Sequence, residues 1–208
     1  MKDTVAHLHE AALHLRQRAG APVSRTGLAL PPLVLVTDET RVPDPLPAIR
    51  GLPKGCGVLF RHYGAAGRAA LAASVAAACR EAGLILLVAE DAAIARAVAA
   101  EGLHLPERAI ASGAPPAWEG LLTAAAHSPD AVARAVAAGA DAVFVSPVFP
   151  TRSHPDSPAL GPEAFAAIVR GARCPVYALG GIDASSVDRL RETGAAGIAA
   201  TGALSGEA

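Results

Sequence analysis

The chain has 208 residues, with 18 Lys and Arg against 19 Asp and Glu and a formal net charge of -1. Near-neutrality gives no electrostatic basis for binding nucleic acid or an anionic membrane surface. With 52% hydrophobic and 18% charged residues, the chain can bury a full core; disorder is excluded, and the length suits one domain.

An amphipathic helix is expected over residues 4–19, where Glu10, Arg16 and Arg18 interrupt the apolar positions and argue against a secretory leader. From residue 33 onward, short apolar runs alternate with Ala-rich amphipathic ones. Strands are expected at 33–39, 57–63, 84–91, 103–107, 121–128, 142–149, 176–182 and 197–204. Between them, helices are expected at 43–52, 67–82, 92–101, 115–119, 129–138, 162–172 and 184–193. Pro129 and Pro162 mark helix starts, and Gly83, Gly102, Gly139 and Gly194 mark helix ends. Continuous apolar strands belong to a parallel sheet buried on both faces. Eight of them separated by helices predict an α/β fold, a (β/α)₈ TIM barrel, with a doubly wound sheet as the rival. Residues 1–30 read as an N-terminal helical extension and 31–208 as the barrel. No long helix follows the eighth strand, so the N-terminal helix is expected to fill the gap between the last strand and the first.

Cys56, Cys79 and Cys174 have neither CxxC nor metal-ligand spacing. They read as buried thiols of a cytoplasmic protein. Every apolar run is broken by charge or glycine before it reaches the length of a membrane span. The few charges on the Ala-rich helices are compatible with a homodimer, although packing within the barrel accounts for much of that pattern.

Reacting groups in such barrels come from the C-terminal strand ends. The polar residues there include Asp38 and Glu39, Arg61 and Tyr63, Glu90 and Asp91, Glu107, His127, and the loop Thr151, Arg152, Ser153, His154. Gly180-Gly181 and Thr201-Gly202 follow strands seven and eight, and such turns form amide nests for phosphate. They would equally serve as tight turns. Asp91 and Asp183 read as helix N-caps. His62 should point outward and His104 should be structural. Arg61, on an inward-facing position, calls for an anion and is the best single contact for a substrate phosphate or carboxylate.

Ser146-Pro147-Val148-Phe149-Pro150-Thr151, Leu179-Gly180-Gly181-Ile182 and Gly197-Ile198-Ala199 occur in that order. Together they resemble the thiamine phosphate synthase and thiazole tautomerase family over roughly residues 33–204. The resemblance implies a (β/α)₈ barrel and a phosphorylated thiazole or thiamine-related ligand. The synthase branch implies Mg²⁺ and cations around a departing pyrophosphate. Its Gln-x-Arg-x-Lys pattern is reduced here to Arg61 alone, its Asn-Asp pair becomes Glu90-Asp91, and its second metal aspartate aligns with Ala109. The strand-five serine aligns with Ala125, and the lysine after strand six with His154. Each lost electrostatic contact raises the barrier by on the order of 3 kcal/mol. The tautomerase branch needs only a phosphate anchor and an acid/base, which the resemblance places at His127.

Three readings follow. The first is tautomerase-like proton transfer by His127, with no certain cofactor. The second is a divergent Mg²⁺-dependent synthase holding the metal with Glu90 and Asp91, helped by Glu107. The third is a non-catalytic phosphate-ligand-binding descendant.

Overall fold

The apolar runs form eight parallel strands closed into a barrel in sequence order: β1 (Leu33–Val36), β2 (Gly57–Phe60), β3 (Ile85–Ala89), β4 (Gly102–Leu105), β5 (Leu121–Ala126), β6 (Ala142–Val145), β7 (Val176–Leu179) and β8 (Gly197–Ala200). The structure is a computed structural model and describes residues 2–113, 116–151 and 158–206. β8 returns to β1, with Leu33 opposite Ile198 and Leu35 opposite Ala200. The sheet therefore has no free edge.

Alternate strand residues fill two separate cores. Val34, Val36, Leu59, Leu87, Phe144 and Tyr177 pack inside the barrel, while Leu35, Val58, Phe60, Leu86 and Val88 pack against the helices. Both faces are dry, which is why the strands are apolar without alternation. Inside, Phe144 stacks on Tyr177 at 4.7 Å and meets His104 edge-on at 5.2 Å. The buried Tyr177 hydroxyl donates to the Pro31 carbonyl at 2.7 Å, so it is not left unpaired.

The outer layer consists of α1 (Lys2–Arg18), α2 (Leu46–Arg50), α3 (Arg68–Ala82), α4 (Ala92–Ala97), α5 (Glu107–Ala111), α6 (Pro129–Ala137), α7 (Gly161–Gly171) and α8 (Gly202–Ser205). α6 begins as its sequence indicates: Ser128 Oγ accepts from Ala131 N at 3.2 Å and Pro129 takes the first helical position.

The strands and several helices are shorter than expected, and four further differences have a local cause. Residues 116–119 are not helical, and the helix between β4 and β5 is α5 instead. Pro106 presets the turn before α5, and Glu107 supplies the acid that a helix N-terminus favours. The helix expected at 184–193 shrinks to a 3₁₀ turn, Val187–Leu190. Asp183 Oδ1 accepts from Ser185 N at 2.9 Å and Ser186 N at 3.0 Å, while Ser186 Oγ accepts from Asp183 N at 2.9 Å. These short side chains offer the backbone an alternative to the helix. Strand eight stops at Ala200, because Gly202 already belongs to the four-residue α8. Gly102 is no helix end: it opens β4, and Ala99 (φ 51°) takes the left-handed position after α4. A Cβ at Gly102 would collide with Leu87 and Leu121.

α1 buries Val5, Leu8, Ala11, Ala12 and Leu15 and packs on β8, β1, α8 and the Val187–Leu190 turn. It covers the seam that α8 is too short to cover. Residues 20–32 cross the opposite end of the barrel, where Val23 bridges Ala29. There Arg25 donates to the carbonyls of Gly139 at 2.7 Å and of Trp118 and Gly120 at 3.2 Å. Asp141 accepts from Arg25 N and Leu122 N, each at 2.8 Å. No helix among the described residues is long and apolar enough to cross a membrane.

Candidate active site

The C-terminal mouth of the barrel divides into two chemically different halves. Ion pairs tie the ends of β1 to β5 to one another, whereas β6 to β8 end in Ser146, Gly180, Gly181, Thr201 and Gly202.

In the charged half, Arg61 follows β2. Its guanidinium donates to the Thr37 carbonyl at 3.2 Å and to Asp38 Oδ2 at 3.1 Å. The anion that Arg61 requires is thus supplied by the neighbouring strand end, and the side chain is pre-oriented before any ligand arrives. Desolvation raises the Asp38 carboxyl, but the Arg41 and Thr40 amides and then Arg61 outweigh it and hold the acid below its ordinary range. Glu39 accepts from Gly64 N at 3.0 Å and closes the same two loops together. Tyr63 is 42% exposed. Burial raises its phenol above the usual value, while Arg61, Glu90, Arg108 and Arg68 all act on it electrostatically.

Arg68 opens α3 and donates to the Ala89 carbonyl at 2.7 Å, with Asp91 at 3.5 Å. Asp91 Oδ1 caps α4 by accepting from Ile94 N at 2.8 Å. Glu90 sits in the left-handed region (φ 67°) and is paired with Arg108 at 2.6 Å. This donor set does not fit Mg²⁺. Asp91 is engaged by a helix cap and a guanidinium, and Glu90 by another guanidinium. Among the described residues, no three His, Cys, Asp or Glu side chains gather to hold an ion. Glu107, the third carboxylate weighed for a metal, is turned to β5 instead.

His127 lies one residue beyond β5 with 54% of its side chain exposed. Its Nδ1 lies 2.7 Å from Glu107 Oε2, which also accepts from the His127 amide at 3.0 Å. Arg134 holds the other carboxylate oxygen at 3.2 Å. The other two barrel histidines among the described residues, His62 and His104, are committed elsewhere. His62 faces outward, buried and stacked on Phe60, with Thr37 Oγ1 at 2.9 Å and the Val42 carbonyl at 3.1 Å from its two nitrogens. His104 points inward onto Thr123 at 2.9 Å; loss of hydration, then Arg61, lowers its pKa to about 3.

In the glycine-rich half, Gly180 (φ 95°) and Gly181 (φ 65°) both need left-handed backbone. They also need the space: a Cβ at Gly180 would lie 2.8 Å from Pro147 Cα, and one at Gly181 2.7 Å from Phe149 Cβ. Amides of the β6 loop reach across to the same turn, Val148 N to the Leu179 carbonyl at 2.9 Å and Phe149 N to the Gly180 carbonyl at 3.0 Å. The paired glycines therefore let the Pro-Val-Phe-Pro loop seat against the end of β7. Thr201 and Gly202 begin α8 on the adjacent strand. Thr151 is half-buried at the end of this loop. Ser153 and His154 lie outside the described residues.

The mouth thus brings Arg61 and Tyr63 to one side, His127 to the β4–β5 rim, and the two glycine turns to the other side. Sequence reasoning missed Arg68 and Arg108 and misplaced Glu107. Pro106-Glu107-Arg108 has the form of a helix start, and reading it so would have moved Glu107 off strand four and beside His127.

Comparison with known proteins agrees with this architecture. The thiamine monophosphate synthase family model matches residues 35–204. The thiamine-phosphate synthase of Chlorobium luteolum is 34% identical over 182 residues, covering 84% of this chain and 85% of that protein. That of Bacillus velezensis is 31% identical over 173 residues, covering 78% and 77%. The solved thiamine phosphate pyrophosphorylase of Pyrococcus furiosus superposes with a TM-score of 0.71 at 24% identity, covering 91% and 90% of the two chains. With a family model spanning the barrel and relatives aligned over most of their own length, the chain belongs to the thiamine monophosphate synthase family.

Proposed function

We propose that the barrel mouth binds a thiazole phosphate-type ligand and catalyses tautomerase-like proton transfer on it, with His127 as acid/base. The observation that carries this reading is the contrast between two groups of carboxylates. Those after β3 are committed to guanidinium groups and a helix cap, whereas Glu107, with one oxygen on Arg134, backs a half-exposed imidazole with the other. A proton removed from one ring position and returned to another needs no metal and no co-reactant, and an imidazole shuttles it near neutral pH. The phosphate is assigned to the backbone at Gly180-Gly181 and Thr201-Gly202. Arg61, Tyr63, Thr151, Ser153 and His154 are assigned to the ligand's remaining polar groups. A cytoplasmic setting accords with the free thiols of Cys56, Cys79 and Cys174. A homodimer accords with the exposed Ala69, Ala70, Ala73 and Ala77 on α3; sedimentation tests it.

A second reading, Mg²⁺-dependent thiamine phosphate synthase, draws on the relatives that carry that name. One experiment separates the two. The protein is incubated in D₂O with a thiazole carboxylate phosphate and EDTA, and separately with thiazole phosphate, a pyrimidine pyrophosphate and Mg²⁺. Deuterium incorporation in the first mixture, abolished in H127Q, supports proton transfer. Pyrophosphate release in the second supports the synthase and overturns the first reading. Ligand binding with neither activity identifies a binding descendant.

A further inference from the structure

We infer that Glu107 is a positioning residue that fixes His127 in one tautomer, with the proton on Nδ1 and the lone pair on Nε2. The inference deepens the proton-transfer reading and rests on it for its consequence, but not for its test.

A carboxylate only accepts hydrogen bonds, so the nitrogen 2.7 Å from Glu107 Oε2 must be the donor. The carboxylate cannot swing away cheaply. Its Oε2 is also held by the His127 amide at 3.0 Å, and its Oε1 by Arg134 at 3.2 Å. Glu107 itself is anchored in the first turn of α5. Ring, carboxylate and guanidinium thus form a chain from α6 through α5 to the end of β5, and the ring is the only member that is more than half exposed. Among the described residues, Nε2 of His127 has no hydrogen-bond partner. His62, by contrast, is bonded at both nitrogens, and His104 is only 4% exposed. A neutral imidazole with a fixed Nδ1–H presents a basic Nε2 to the mouth. Without its carboxylate, the ring would rotate and populate the other tautomer. Carboxylates that orient metal-bound histidines are worth about 10- to 100-fold in activity, and a loss of similar size is expected here.

The test is long-range ¹H–¹⁵N correlation on histidine-labelled protein, at a pH where the ring is neutral. The expected wild-type spectrum shows His127 with a protonated Nδ1 and an unprotonated Nε2. E107A should shift the ring towards the Nε2–H form. E107Q, whose amide oxygen still accepts from Nδ1, should restore the wild-type tautomer. Solvent deuterium incorporation into thiazole carboxylate phosphate should fall about tenfold in kcat for E107A with KM little changed. An Nε2-protonated His127 in the wild-type spectrum overturns the inference with no variant needed. So does an unchanged tautomer in folded E107A. The proton-transfer reading falls separately, if H127Q retains full exchange activity.

Discussion

Arg61 and Asp38 meet across the seam between β2 and β1, guanidinium to carboxylate at 3.1 Å, with the Arg61 side chain 30% exposed and that of Asp38 23%. The pair fixes a cation at the mouth in advance of any ligand. It also tempers that cation, because an incoming anion must share it. R61A is expected to weaken thiazole phosphate binding by about 10-fold or more, the worth of one charge-assisted hydrogen bond. D38N, which removes the competing charge, should tighten binding. Calorimetric titration measures both. Unchanged affinity in R61A would confine Arg61 to holding loops.

His104 makes stability depend on pH. The folded interior keeps it neutral down to about 3, against an ordinary value of 6.5. Between those values the unfolded chain binds a proton that the folded chain refuses, so this contribution is full above about pH 6.5. It is lost progressively as pH falls towards 3. Urea unfolding of the wild type from pH 6.5 to 5 should show this slope, approaching ~1.4 kcal/mol per pH unit. H104Q should flatten it. Equal slopes would place the titration elsewhere.

Magnesium should not stabilise the folded protein. Glu90 answers Arg108, and Asp91 answers α4 and Arg68. Thermal unfolding should therefore give the same midpoint with millimolar Mg²⁺ and with EDTA. R108A frees Glu90, and a Mg²⁺-dependent rise in that variant would identify Arg108 as the group that displaces a metal. A rise of several degrees in the wild type would show that the carboxylates can leave their partners.

The two glycine positions Gly67 and Gly181 separate backbone conformation from crowding. Both have positive φ, 72° and 65°, but nothing stands within 4 Å of a Cβ at Gly67, whereas one at Gly181 meets Pro150 and Phe149. G67A should cost ~1 kcal/mol in urea unfolding, and G181A at least ~2 kcal/mol more. Equal losses would mean that the β6 loop yields easily.

The strands were legible because a barrel strand touches apolar neighbours on both faces, and Leu33 to Val36 or Ala142 to Val145 allow little else. Local chemistry was legible at Ser128-Pro129, where the capping residue and its helix adjoin. The helix after β7 was not. Its Ala-Ser-Ser-Val pattern suits a helix, and only the mutual bonds of Asp183, Ser185 and Ser186 divert it. At the mouth, residue types were readable but partners were not. Nothing in the spacing joins Arg61 to Asp38, Arg108 to Glu90 or Glu107 to His127, because these pairs form between the ends of neighbouring elements that only the folded sheet and its helices bring together.

α1 packs on β8, nearly the whole described chain away in sequence. Without the last strand beside β1, the stripe from Val5 to Leu15 keeps only the β1 part of the surface on which it lies. The seam is therefore sealed by contacts of the greatest sequence separation in the molecule, whose loop-closure entropy must be met before they stabilise anything. A barrel opened at this seam exposes an apolar helix face together with two unpaired strand edges. One seam thus joins two protections, the pairing that removes the sheet edges and the helix that covers them.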